Sequence, residues 1–71
     1  MWIKTTRKNY WKEDIFGYQN KELNQMIFYD WNMVCYRVIL IDDNESRTIN
    51  ILFRSNILNE ILEYIDNYIK D

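Results

Sequence analysis

Side chains suited to catalysis are scarce in this chain of 71 residues, which has no histidine and one cysteine, Cys35. Without histidine, the sequence offers neither a Ser/His or Cys/His nucleophile pair nor an imidazole general base. Cys35 lies within an apolar stretch, and its nearest basic neighbour in sequence is Arg37. We therefore expect a reduced, structural cysteine and a protein that is not an enzyme.

Metal and phosphate sites also lack their usual residues. The missing histidine and the lone cysteine remove the common zinc ligand sets. Asp42, Asp43 and Glu45 form an acidic cluster without the spacing or the glycine of a calcium loop, and we interpret it as a solvated hairpin tip. A chain with one glycine has no glycine-rich phosphate loop. No metal or cofactor is predicted.

Basic and aromatic residues are interleaved near the N-terminus in a pattern that suits single-stranded nucleic acid. The cations there would contact phosphates, and the aromatic rings would stack on bases. The set comprises Trp2, Lys4, Arg7, Lys8, Tyr10, Trp11 and Lys12. The acidic balance of the whole chain argues against this function, and the same rings could instead pack on a sheet. Nucleic-acid binding is therefore the alternative prediction.

Charge is unevenly distributed along the chain, whose formal net charge is −2. Residues 1–24 contain five basic and three acidic residues, whereas residues 25–71 contain four basic and eight acidic ones. Four of these acidic residues lie on the outer face of a predicted C-terminal helix: Glu60, Glu63, Asp66 and Asp71. Together with the acidic hairpin tip, that face is either simply solvated or a surface for a basic protein partner.

The length fits a single domain, residues 1–71. No stretch resembles a signal peptide, and none has enough consecutive apolar residues to span a bilayer. These observations predict a soluble, cytoplasmic protein without membrane contacts.

The clearest structural pattern is an amphipathic helix over residues 55–71. At about 100° per residue its apolar side chains fill one continuous arc of roughly 160°, and the polar ones fill the remainder. Ser55 or Asn56 could cap its first turn. The apolar positions are Ile57, Leu58, Ile61, Leu62, Tyr64, Ile65, Tyr68 and Ile69.

Residues 25–54 alternate in a way that predicts three antiparallel strands joined by short turns near Trp31 and Asn44. Two-residue turns at these points would place Ile27 opposite Tyr36, and Val38 opposite Ile49. Residues 1–24 have no clean period and are predicted to form an irregular arm, with a turn at the glycine. The predicted fold is therefore α+β: a three-stranded meander followed by one helix.

One helix can cover only one side of such a sheet. The predicted helix-facing side chains are Ile27, Tyr29, Val34, Tyr36, Val38, Ile49, Ile51 and Phe53. The opposite face would then expose Met26, Phe28, Cys35, Ile39, Ile41 and Leu52. Either the N-terminal arm covers this face, or a second copy covers it in a two-fold dimer, and we favour the dimer.

The layout of residues 25–71, three strands and then a helix from Asn56, resembles the small YopT-like family of Bacillus prophages. This family is distinct from the cysteine protease of the same name, whose chemistry needs a histidine. The resemblance covers about two-thirds of the chain and rests on size, layout and composition. It implies a homodimer and supplies no functional residues. The favoured function is that of a small phage-type or prophage-type accessory protein that acts by protein–protein interaction.

Overall fold

The computed structural model describes residues 1–9 and 11–70, which form one antiparallel sheet and one α-helix. The strands are β1 (Ile3–Lys8), β2 (Asp14–Asn20), β3 (Gln25–Trp31), β4 (Tyr36–Asp42) and β5 (Thr48–Ser55). A 3-10 turn (Asp43–Glu45) precedes β5, and helix α1 (Leu58–Ile69) follows it. The strands pair in chain order, so the predicted α+β meander with a C-terminal helix is confirmed, but it has five strands.

The prediction of an irregular arm over residues 1–24 is wrong. β1 and β2 form a regular hairpin, paired from Ile3 opposite Gln19 to Lys8 opposite Asp14. Gly17, which was expected to mark a turn, lies inside β2. The alternation of β1 is hidden in the sequence because this edge strand is mostly polar on both faces, a common feature of sheet edges.

Asparagine side chains close the hairpins of this glycine-poor chain. The Oδ1 atom of Asn9 accepts hydrogen bonds from the backbone N–H groups of Trp11 and Glu13, both at 2.9 Å. Asn32 Oδ1 similarly accepts from the N–H of Cys35 at 2.9 Å. Such local bonds hold turns that would otherwise favour glycine. Left-handed backbone angles occur at Lys12, Asn24, Met33, Ser46 and Arg47.

The β3–β4 connection is longer than the predicted two-residue turn. Residues 32–35 form the loop, and Ile27 lies opposite Leu40 rather than Tyr36. The register therefore differs from the predicted one by four residues, an even number, and the β3 and β4 side chains keep their predicted faces. Val34, expected to face the helix, is exposed in the loop.

A β-bulge in β5 overturns part of the predicted helix-facing set. Ile51 pairs with Ile39, but Phe53 pairs with Val38, so Leu52 is an extra residue in the strand. The predicted pairing of Val38 with Ile49 is therefore wrong, and Ile49 lies opposite Ile41. The extra residue reverses the direction of the side chains that precede it. Ile49 and Ile51 consequently lie on the side away from the helix, while Phe53 faces the helix as predicted.

The core lies between α1 and one face of the sheet. The buried helix residues Ile61 and Ile65 pack against Ile27, Val38 and Leu40 of the two central strands. Because Ile61 and Ile65 belong to the predicted apolar arc, the sequence identified the correct buried side of the helix.

Aromatic rings connect the helix to both edges of the sheet. Phe53 of β5 stacks on Tyr64 at 4.8 Å between ring centroids, and Tyr64 lies 6.4 Å from Tyr68. Trp2 meets Tyr68 edge-on at 6.0 Å. These contacts tie the residue that precedes β1 to the C-terminal half of α1.

The helix begins later than residue 55. Ile57 is its N-cap residue and makes no side-chain capping bond. Ser55 instead supports the start of the helix, because its Oγ accepts a hydrogen bond from the N–H of Ile57 at 3.0 Å and donates one to Glu60 Oε1 at 2.7 Å.

Within the described residues, no helix has the length and apolar character needed to cross a bilayer.

Candidate interaction surfaces

The sheet face opposite α1 carries two transverse rows of mostly apolar side chains, which we call the apolar face. Directly paired residues of neighbouring strands lie on the same side of a sheet. The first row is Ile3, Gln19, Met26, Ile41 and Ile49, and the second is Thr5, Gly17, Phe28, Ile39 and Ile51. Among the described residues, the one α-helix packs on the other side of the sheet.

Exposure on the apolar face increases from its centre to the β5 edge. Phe28 is only 2% exposed, whereas Ile51 is 41% and Ile49 is 66% exposed. Ile3 is also exposed, at the β1 edge. Ile49 and Ile51 are neighbours on this face of β5, and adjacent exposed apolar side chains of this kind are typical of protein-contact surfaces.

Phe28 is buried by neighbours on its own face of the sheet. The Arg7 guanidinium lies 5.6 Å from the centre of the Phe28 ring, within cation–π range. A Cβ atom on Gly17 would come within 2.6 Å of Phe28 Cδ1 and 2.0 Å of the Ile27 carbonyl oxygen. The ring therefore occupies the space that a side chain at position 17 would need.

Four of the six residues predicted for the uncovered face lie on it: Met26, Phe28, Ile39 and Ile41. The other two do not. Leu52 packs against the core on the helix side, and Cys35 is half-buried in the β3–β4 loop. Sequence reasoning missed Ile49 and Ile51, although the adjacent apolar pair Leu52 and Phe53 breaks the alternation and signals the bulge.

A third transverse row, the charged row, lies beyond the apolar face and consists of Arg7, Ile15, Asp30, Arg37 and Arg54. Its central feature is a bidentate ion pair. Arg37 Nε lies 2.9 Å from Asp30 Oδ1, and Nη2 lies 2.7 Å from Oδ2. The side chains are 26% and 23% exposed, and the hydrogen bonds that Arg37 donates to Asp30 raise the pKa of Arg37 above its usual value.

Replacing Asp30 by asparagine is expected to lower the free energy of unfolding by about 1–2 kcal/mol, because the amide keeps the shape but loses a charge-assisted bond. Partial exposure limits the effect. Urea denaturation of D30N measures it. Asp66→Asn, an exposed change on α1, is the control and should be nearly neutral. Equal losses in both variants would contradict a stabilising role for this pair.

A second surface, the hairpin cleft, opens where β2 and β3 diverge. These strands pair only from Gly17 opposite Phe28 to Asn20 opposite Gln25. Beyond these pairs, residues 14–16 remain paired with β1 and residues 29–31 with β4. The two hairpins thus separate and leave a groove of about 480 Å³ between them.

Aromatic rings line much of the hairpin cleft. The aromatic set is Trp11, Phe16, Tyr29, Trp31 and Tyr36. Trp31 and Tyr36 meet edge-on at 4.8 Å, whereas Trp11, Phe16 and Trp31 are each more than half exposed. The polar lining includes Asn9, Glu13, Asp14, Asp30 and Arg37. Sequence reasoning did not find this site, because the divergence of two neighbouring strands leaves no local signature.

The predicted nucleic-acid residues do not form one continuous stripe. Trp2 packs against the core, and Arg7 lies over a phenylalanine ring on the apolar side of the sheet. Lys4 and Lys8 lie on the opposite side of β1 from Arg7, since side chains alternate along a strand. Lys8 Nζ also forms an ion pair with Asp14 Oδ1 at 2.6 Å.

The remaining predicted nucleic-acid residues belong to the β1–β2 connection. Trp11 and Lys12 are exposed in that turn, and Lys12 has a left-handed φ of 63°. Tyr10 lies outside the described residues. Nucleic-acid binding stays a prediction. Among the predicted residues that the structure describes, the exposed turn residues Trp11 and Lys12 and the exposed lysines of β1 are the ones placed to contact a nucleic acid.

The acidic turn between β4 and β5 is engaged in local contacts. Asp42 Oδ1 accepts from the N–H of Asn44 at 2.9 Å, and Asp43 Oδ1 lies 3.3 Å from Arg47 Nε. These contacts agree with the interpretation of a hairpin tip. The described part of the chain contains no group of three or more side chains arranged to hold a metal ion, and Cys35 is a free thiol.

Comparison with protein-family models, with curated proteins and with solved structures gave no significant match to this chain. The resemblance to a prophage family therefore stays a prediction. The function is argued below from the two surfaces themselves.

Proposed function

We propose that this protein is a small, non-catalytic interaction protein that forms a two-fold homodimer through its apolar face. The proposal rests on one observation: exposed isoleucines continue a row of buried apolar side chains on the side of the sheet that lacks the helix. A phage-type or prophage-type accessory role, implied by the sequence resemblance, belongs to the same proposal. In this role, the dimer would present its outer surfaces to a host protein.

The sheet is wider than the surface that it leaves for such a dimer. Five strands at about 4.8 Å spacing span roughly 20 Å across the sheet, within a chain whose Cα atoms extend over 32 × 27 × 19 Å. The centre of this face is already closed within the monomer, because Phe28 is 2% and Ile41 9% exposed, and Arg7 of the first hairpin lines a hollow of about 230 Å³ together with Phe28 and Ile49. The surface left for a second copy therefore lies at the β5 edge, around Ile49 and Ile51.

Charge at the two ends of this face favours a second copy as the partner. At one end, Arg7, Arg37 and Arg54 outnumber the single Asp30 in the charged row. At the other end, Glu22, Asp42, Asp43 and Glu45 face Lys21, Arg47 and the N-terminal ammonium, so the acidic excess there is a single charge. A two-fold axis along the rows brings the basic end of each copy over the acidic end of the other, which avoids contact between like charges.

Replacing both Ile49 and Ile51 by lysine is expected to dissociate the dimer. Each lysine would place a charge inside the contact, where burial without a partner is unfavourable. Sedimentation velocity from about 1 to about 300 µM should show the wild type approaching twice the 8.9 kDa monomer mass. The variant should remain monomeric to concentrations about 100-fold higher, a difference of about 2.7 kcal/mol.

Ile57→Lys is the matched control, because Ile57 is similarly exposed but lies at the start of α1. This variant should dimerise like the wild type. Circular dichroism should show that both variants are folded, since the replaced side chains are exposed in the monomer. A wild-type protein that sediments at 8.9 kDa throughout would overturn the proposal, as would an unchanged association of the double variant.

A further inference from the structure

On both walls of the hairpin cleft, the strand that faces the groove has no neighbouring strand on that side. Residues 14–16 pair with β1 on one side only, and residues 29–31 pair with β4 on one side only. Each wall therefore presents the edge of a strand to the groove. Three residues of extended strand measure about 10 Å, so each wall is long enough to contact a few residues of an extended chain.

The exposed rings of the cleft suit the same kind of ligand. Phe16 on β2 and Trp31 on β3 are each more than half exposed, so two neighbouring strands offer aromatic surface. The half-buried Tyr36 of β4 supports Trp31 by an edge-on contact. Aromatic faces bind the aliphatic stems of lysine and arginine and attract their charged ends by cation–π interaction. A ligand with cationic side chains could use these rings along its length.

The charge of the lining has the sign that such a ligand needs. Three carboxylates and one guanidinium line the groove: Glu13, Asp14, Asp30 and Arg37. Asp30 is held by Arg37, and Asp14 is held by Lys8. The Glu13 carboxylate accepts a long hydrogen bond of 3.4 Å from Asn9 Nδ2 and has no ion-pair partner among the described residues. An anionic strand of nucleic acid would meet this lining unfavourably.

We propose that the hairpin cleft binds an extended peptide segment of a partner protein that is rich in arginine or lysine. The aromatic rings hold the side-chain stems, Glu13 receives a cationic end, and the strand edges offer hydrogen bonds to the peptide backbone. Because side chains alternate along a strand, the rings of Phe16, Trp31 and Tyr36 lie on the side of the sheet away from the apolar face. The inference therefore holds whether or not the apolar face forms a dimer.

The test uses the full-length protein and a capped octapeptide of alternating arginine and alanine. Amide and indole chemical shifts are followed by NMR as the peptide is added. We expect shifts around residues 11–16 and 29–37, including the Trp31 indole, with a dissociation constant on the order of 100 µM. A matched octapeptide with glutamine in place of arginine should bind about tenfold more weakly.

Two variants assign the contacts. Glu13→Gln should weaken binding about threefold, as expected for an exposed charge pair, whereas Glu63→Gln on the outer face of α1 should not change it. Phe16→Ala should weaken binding about tenfold, whereas Ile57→Ala, an equally exposed apolar truncation, should leave it unchanged. The backbone shifts of each variant show whether the fold is retained.

Three results would overturn the inference. The glutamine peptide could bind as tightly as the arginine peptide, or the shifts could map to the apolar face. Alternatively, a single-stranded oligonucleotide could produce the cleft shifts while the arginine peptide does not, and the cleft would then be a nucleic-acid site. Because the proposed dimer is assayed separately by sedimentation, failure of this inference is distinguishable from failure of the dimer.

Discussion

Replacing Gly17 by alanine is expected to destabilise the fold by about 3 kcal/mol, at the upper end of the cost of overpacking. The added Cβ atom would lie 2.0 Å from the Ile27 carbonyl oxygen and 2.6 Å from Phe28 Cδ1. The ring can turn, but the carbonyl belongs to the β2–β3 ladder and cannot move without breaking strand pairing. For a domain of this size, total stability is expected to be about 4–10 kcal/mol, so the loss is a large fraction.

Urea denaturation followed by circular dichroism measures this effect. Gln19→Ala is the matched control, because it lies two residues along the same face of β2 and only removes side-chain atoms. The control should change stability by less than about 1 kcal/mol. A G17A protein as stable as the control would contradict the close approach of Phe28 to the backbone of β2.

Replacing Ile61 by alanine is expected to cost about 3–4 kcal/mol, within the range for truncating a buried isoleucine. Ile61 is completely inaccessible and belongs to the cluster that joins α1 to β3 and β4. Alanine would leave a cavity at the centre of the contact between α1 and the central strands. We expect a protein at the margin of stability at 37 °C.

The neighbouring residue provides the control. Leu62→Ala removes a side chain of the same size from the partly exposed flank of α1 and should cost about 1 kcal/mol or less. Thermal and urea denaturation of the two variants give the comparison. Equal losses would contradict the assignment of Ile61 to the centre of the core.

The helix and the central strands were predictable because their patterns are regular. The apolar arc of α1 identified Ile61 and Ile65, and the alternation of β3 and β4 identified their core-facing sides. The β3–β4 register was wrong by four residues, yet the faces survived because side chains alternate with period two. Met26, Phe28, Ile39 and Ile41 were therefore grouped correctly despite the wrong turn.

The errors arose where local pattern and tertiary structure disagree. Gly17 appeared to be a turn residue, but its missing side chain makes room for Phe28 within a sheet. One extra residue, Leu52, moved Ile49 and Ile51 to the uncovered face, since an odd shift reverses every preceding side chain. The hairpin cleft depends on two strands that separate after four paired positions, and no property of either strand alone predicts this.

Intermolecular contacts between two copies test the central claim most directly. NMR of a sample that mixes isotope-labelled and unlabelled protein selects NOEs that connect one copy to the other. The account predicts that the methyl groups of Ile49 and Ile51 show such NOEs to isoleucine protons of the second copy's apolar face. If intermolecular NOEs are absent at these methyl groups, or appear only on the helix side, the apolar face is not the dimer interface.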